Sequence, residues 1–367
     1  MSLKTNISAA TSEEICKSDE SDESDESDES DKSDESEKTK MAYKRFQNTV
    51  MESKMLLPMV AVVMAASLYL AGVVEGGWWI QTICLVVSTA LLAELSSSNQ
   101  LLRVVSQATP SMYLLLVAVS IFLFPEIECS IMQLCMIALW YMLFHCRQHN
   151  ESPGWVFYGF FCVGLASMVF VQVLWYVPVF WVLMATCLRA LNARTFWASL
   201  LGIATPYWLG GPFLLYFQGP AMAVSHFNQL WTFEPLGDWS MLGVHEWLAI
   251  GWTALLAVIG ICHYLSSGYQ DKIRTRLLHE IFIVTALLTM AAIALQPQHH
   301  KLWLSILIVN TSPLIAHYLT LTHTWLTNIS YHLIIIITLA IITLNVWEPS
   351  LTFLSTMAIQ ACSFLPL

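Results

Sequence analysis

Carboxylates that could do chemistry stand at two breaks between apolar runs. Glu75 ends the first run, in Val73-Val74-Glu75-Gly76-Gly77-Trp78-Trp79. Glu234, Asp238, His245 and Glu246 occupy the longest polar connection, between residues 217 and 247. A positioned carboxylate can take the proton of an attacking hydroxyl, or hold a metal. Glu75, Glu234 and Asp238 are therefore the candidate catalytic residues. His226, Trp231 and Trp239 lie beside the second group, with ring faces and an imidazole suited to a sugar, and are the candidate substrate-binding residues. A helical turn would put Glu234 and Asp238 on one face, whereas Pro235 and Gly237 favour a tight turn. Lys and Arg are scarce near these acids, so a phosphate there would need a metal for its counter-charge.

Other chemistries lack their residues. His299-His300, His317, His323 and His332 do not form the clustered boxes of a di-iron oxygenase, and no HxxHH occurs. His299-His300 and His323 fall at opposite ends of one apolar run, too far apart to share an ion. None of the nine cysteines forms CxxC, so zinc and dithiol redox sites have no support. No GxxxxGK[ST], GxGxxG or GxSxG is present. Glu94 and Glu280 sit at the ends of apolar runs, so no carboxylate is expected at mid-depth. Asn310, Thr311 and Pro313 form the most polar patch inside a run, as a packed kink would. No metal site is assigned, the cofactor is left unknown, and no basic patch suggests nucleic acid.

The elements that must position these residues are membrane helices. The chain is 56% hydrophobic and 11% charged, with mean hydropathy +0.61, where soluble domains carry roughly 25% charged residues. A membrane helix needs about 20 apolar residues. Runs of that kind lie near 55–74, 77–95, 109–125, 129–146, 154–173, 174–188, 195–217, 247–265, 279–296, 301–320, 328–347 and 349–365. The expected fold is an all-α bundle of about ten to twelve spans. The fifth and sixth runs abut at Gln172–Pro178, as a tight hairpin or one bent helix. Trp78, Trp79, Trp155, Trp175, Trp231, Trp239, Trp247, Trp303 and Trp347 fall near run ends, where interfacial anchoring is expected.

Charge is divided unevenly. Residues 1–54 hold 8 Lys/Arg and 15 Asp/Glu, net −7; residues 55–367 hold 8 and 11, net −3. Residues 1–40 contain a tandem of Ser-Asp-Glu triplets with no apolar surface to bury, and are expected to be disordered. Residues 41–54 form a basic juxtamembrane segment before the transmembrane domain, 55–367. With the N-terminus in the cytoplasm, alternation gathers Arg103, Arg147, Arg189, Arg194, Lys272, Arg274 and Arg276 on the cytoplasmic side. Glu75, Glu126, Glu128, Glu234, Asp238, Glu246 and Glu348 fall on the other, with Lys301. That asymmetry predicts both termini inside.

Two resemblances follow. A polytopic chain with an acid in its first outer loop, Glu75, resembles in layout the GT-C glycosyltransferases that use polyprenyl-phosphate sugars. That likeness implies a general base or metal ligand at Glu75, and a lipid-linked sugar as partner. Their usual Asp-containing loop motif is missing. The segment Tyr176–Phe217, with Arg189-x-x-Asn192-x-Arg194, Trp197 and Gly202-x-x-Thr205-Pro206-Tyr207, resembles an uncharacterised family of bacterial polytopic inner-membrane proteins. It implies a place in a bacterial inner membrane, among membrane lipid, and no particular activity. Three functions stay open: an enzyme on lipid-linked sugars, a transporter, and a non-catalytic membrane subunit.

Overall fold

A computed structural model describes residues 50–51, 53, 55–102, 106–146, 153–231, 239, 242–321 and 325–363, with side chains undescribed at 214, 218, 222, 270, 325–326 and 348–363. The acidic tail at 1–40, most of the basic segment, Glu234 and Asp238 lie outside the described residues. Every regular element among the described residues is helical. In chain order the principal helices are α1 Leu56–Leu70, α2 Trp79–Asn99, α3 Ala108–Val119, α4 Ile127–Cys146, α5 Pro153–Val169 and α6 Tyr176–Thr186. They continue as α7 Ala193–Gln218, α8 Pro220–Asn228, α9 Val244–Ser267, α10 Ile273–Leu295, α11 His300–Leu321 and α12 Trp325–Ser363.

Among the described residues, seven helical segments are long and apolar enough to cross a membrane: α2, α4, α7, α9, α10, α11 with its preceding turn, and Thr327–Trp347 within α12. The shorter helices α1, α3, α5 and α6 are equally apolar. The protein is thus a polytopic bundle of membrane helices. The two runs expected at 328–347 and 349–365 are one helix of 39 residues, continuous through Glu348 and Pro349. Proline removes one backbone hydrogen bond and costs helix stability, but in apolar surroundings the remaining backbone bonds have no water to replace them.

The bundle is built around α11. In its apolar window 89% of residues are buried, against 12% for α7, which lies at the periphery. Every residue from Trp303 to His317 is buried, packed among α3, α4, α9 and α10. Asn310 sits in this core, and its Oδ1 accepts a hydrogen bond from Trp140 Nε1 of α4 at 3.2 Å. Trp140 also meets Phe144, Phe180 and Phe282. Trp303, expected as an interfacial anchor, is fully buried between Phe170, Trp175 and Tyr176. It lies near a run end in sequence, but on the helix enclosed by α3, α4, α9 and α10.

The α5–α6 junction is a tight reversal. Phe170 is extended (φ −140°), a 3-10 turn spans Val171–Trp175, and Phe160 and Phe180 meet at 6.4 Å on either side of it. Helix α7 crosses α5 at two glycines. A Cβ on Gly202 would lie 2.6 Å from Phe157 O, and one on Gly164 would lie 2.8 Å from Ile203 O. Small residues let membrane helices approach this closely. The N-terminus of α7 is capped by Asn192, whose Oδ1 accepts from Thr195 N at 2.9 Å, while Thr195 Oγ1 accepts from Asn192 N at 2.8 Å. Gly202, Tyr207 and Asn192 of the Tyr176–Phe217 segment therefore serve packing and capping.

The two ends of the bundle differ in charge. At one end Arg274 Nη2 donates to Asn99 Oδ1 (2.8 Å), Lys272 Nζ to Gln100 Oε1 (3.3 Å), and Ser106 Oγ to Met51 O. At the other, Lys301 Nζ meets Glu126 Oε1 at 2.6 Å, and His300 Nε2 meets Glu246 Oε1 at 3.2 Å. Side-chain contacts thus tie neighbouring segments together at both ends.

Candidate binding cleft and buried histidine cluster

Of the sequence-predicted residues, Glu75, His226, Trp231 and Trp239 are described, and they do not form one site. Glu75 is exposed on a single helical turn, Val73–Gly76, flanked by Gly72 and Gly77 at φ 85° and 66°. Only glycine adopts such angles without strain, which is why the turn can be so tight. Trp231 is 77% exposed just beyond α8. Trp239 is stacked on Trp247 at 4.9 Å. His226 lies on α8, which packs back against α5 and α7. Its Nε2 is 3.0 Å from the carbonyl of Ser167, to which it donates, and Tyr207 donates to Ser167 Oγ at 2.8 Å. This imidazole fastens α8 to α5. The pair that does form here is Glu246 with His300, and Glu246 also caps α9 by accepting from Gly243 N at 3.1 Å.

A cavity with both polar and apolar walls lies at the basic end. Between α6, α9 and α10 a cleft of about 460 Å³ is lined by Val179, Leu183, Cys187, Tyr264, Arg276, Glu280 and Val284, among others. That volume is within the roughly 300–1,000 Å³ of small-molecule sites. Arg276 and Glu280 are one turn apart on α10 and share a face. Glu280 Oε2 accepts a weak bond from Cys187 Sγ at 3.8 Å, which turns the carboxylate toward α6. Val179, Val182, Leu183, Ile283 and Val284 give the cleft an aliphatic lining, with Leu183 and Ile283 buried and Val182 and Val284 exposed.

Tyr264 forms one wall of the cleft, and behind it lies a cluster the sequence did not reveal. His279 of α10 stacks on the Tyr264 ring at 5.0 Å and 7°. His317 of α11 lies 4.9 Å from His279, ring to ring, and His263 of α9 lies 5.5 Å from His317. His317 Nε2 is 2.9 Å from Asp271 Oδ2, in the α9–α10 turn, and both side chains are 1% exposed. Tyr264 is held by its hydroxyl, which donates to Arg276 O at 3.2 Å. Asp271, beside Lys272 in the turn between α9 and α10, is buried. His279 and His317 are on different helices, so no spacing could join them.

Among the described residues, no group of three or more His, Cys, Asp or Glu side chains is arranged to hold a metal ion. Comparison with protein-family models, with curated proteins and with solved structures returns no match for this chain.

Proposed function

We propose that this membrane protein handles a lipid-linked phosphate, of the polyprenyl-phosphate-sugar kind, and binds it in the cleft between α6, α9 and α10. The observation that carries this reading is the cleft's make-up: one guanidinium, Arg276, and one carboxylate, Glu280, in the lining of a largely apolar cavity. An amphiphile fits that pattern. Its phosphate pairs with Arg276, since guanidinium groups match phosphate geometry. Its sugar hydroxyls donate to Glu280, and its hydrocarbon lies against Val179, Leu183 and Val284. The acidic end, with Glu75 exposed and Lys301 already on Glu126, offers a phosphate no such partner. In an enzyme, Glu280 is the group positioned to take a proton from an acceptor hydroxyl; in a transporter or subunit the same cleft holds the lipid unreacted. We take the membrane to be a bacterial inner membrane, with the basic end and the N-terminus cytoplasmic. Because α12 is one helix where two were expected, we take the C-terminus to lie on the opposite side.

The test is retention of polyprenyl phosphate by the full chain in lipid nanodiscs, read by native mass spectrometry. Arg276→Gln should reduce occupancy about tenfold, the value of one charge-assisted contact of roughly 1.5 kcal/mol. Equal occupancy in the variant and the parent chain would remove the cleft from consideration.

A further inference from the structure

We infer, resting on the reading of the cleft above, that its lipid carries a diphosphate, with Arg276 on one phosphate and Arg189 on the other. Helices α6 and α10 run antiparallel. Tyr176, at the start of α6, shares a hydrogen bond of 2.7 Å with Thr289, late in α10; Cys187, just past the end of α6, meets Glu280. From that second contact both elements lead toward the basic end. Helix α10 leads back one turn to Arg276, and the α6–α7 connection leads forward two residues to Arg189. One turn is about 5.4 Å, and two residues span at most about 7 Å. The two arginines therefore leave the Cys187–Glu280 contact at similar depth. Cys187 and Arg276 both line the cleft, and Arg189 is exposed two residues beyond its Cys187 wall.

Local structure does not favour arginine at 189. The chain reverses after α6: the N–H groups of Leu188 and Ala190 bond back to the carbonyls of Leu183 and Met184, at 3.1 and 2.9 Å. Within this reversal Arg189 takes φ 50°. Glycine adopts that left-handed conformation freely, and a residue with a Cβ adopts it against a penalty. A side chain kept at such a cost calls for a use. Arg194 is placed as unfavourably. It stands in the first turn of α7, which holds no acidic residue, so its charge is at the positive end of the helix dipole. Both arginines are exposed, and among the described residues no carboxylate forms an ion pair with either.

A guanidinium takes one phosphate through two parallel N–H bonds. Arg276 alone accounts for a monophosphate. Arg189, with the field of Arg194 behind it, is then left for a second phosphate joined to the first. The other cations of α10 and its preceding turn, Lys272 and Arg274, are directed to Gln100 and Asn99. The aliphatic lining takes the hydrocarbon, and a soluble diphosphate would leave that wall without a partner. Arg189-x-x-Asn192-x-Arg194 thus acquires a division of labour. Asn192 caps α7 and fixes the connection, and the two arginines on either side of it carry the charge.

The experiment offers the full chain in nanodiscs polyprenyl phosphate and polyprenyl diphosphate of one chain length, and reads the ratio of their occupancies by native mass spectrometry. The parent chain should favour the diphosphate about tenfold, the worth of one further charge-assisted contact. Arg189→Gly should bring the ratio close to one. Glycine suits the left-handed position, so misfolding is not the expected cause of such a loss. Lys272→Gln, at the same end, should keep the ratio of the parent; an equal fall there would mean surface charge at large and would overturn the inference. If the parent chain retains neither lipid, the reading of the cleft fails and this inference with it. If it retains both equally, the cleft stands and the second phosphate alone is overturned. Inorganic pyrophosphate should not be retained, and its retention to the same occupancy would overturn the assignment to a lipid.

Discussion

The indole of Trp140 donates to the side-chain oxygen of Asn310 at 3.2 Å, and both residues are buried at the crossing of α4 and α11. The bond joins a donor and an acceptor that lipid could not satisfy. Asn310→Ala should leave the indole N–H unmatched and cost roughly 1–3 kcal/mol. Resistance to unfolding in mixed detergent measures this. No change in the midpoint would show that another group serves Trp140.

The α5–α7 crossing makes a contrast between two glycines of one helix. Gly202→Ala would drive a methyl to 2.6 Å from Phe157 O, whereas Gly211 has nothing within 4 Å of an added Cβ. The first should lower stability by roughly 1–3 kcal/mol. Gly211→Ala should lie within about 0.5 kcal/mol of the parent chain. Thermal aggregation in detergent compares them, and equal losses would mean that α7 does not cross α5 there.

Glu75 was a leading catalytic candidate from sequence, and it is exposed on its own turn. If the cleft is where the lipid phosphate binds, Glu75→Ala should leave both polyprenyl-phosphate occupancy and thermal stability unchanged. Loss of occupancy would return attention to the acidic end.

Orientation can be read chemically. Gln229 and Ser266 are both exposed, at opposite ends of the bundle. In a background lacking native thiols, Gln229→Cys in intact cells should react with an impermeant maleimide, and Ser266→Cys should react only after permeabilisation. The reverse pattern would invert the assignment made from Lys and Arg.

Helix positions were legible because hydropathy records transfer into lipid, and ten of the expected runs correspond one to one with α1–α7 and α9–α11. What hydropathy does not record is which helix the others surround. The run at 301–320 is less apolar than Thr327–Trp347, with mean hydropathy 1.4 against 2.2, yet it is the core. Its Asn310, Thr311 and His317 are tolerated because protein, not lipid, faces them. The same blindness explains Trp303, read as an anchor, and the Asp271–His317 contact, which a turn and a helix end create only when folded. Glu280 and Arg276 were visible as residues; the third wall of their cleft, from α6, was not.

The burial of α11 also bears on how the chain is made. A helix released alone into the bilayer would carry Asn310, Ser312 and His317 into hydrocarbon, where each polar group raises the cost of insertion. Its partners α3, α4, α9 and α10 all precede it in the chain. Synthesis therefore delivers the walls before the plug, so that a protein-lined groove can receive α11 as it leaves the ribosome. A chain stopped before residue 300 should then persist as an open groove, prone to degradation and to capture by membrane chaperones, while one that includes α11 closes on itself.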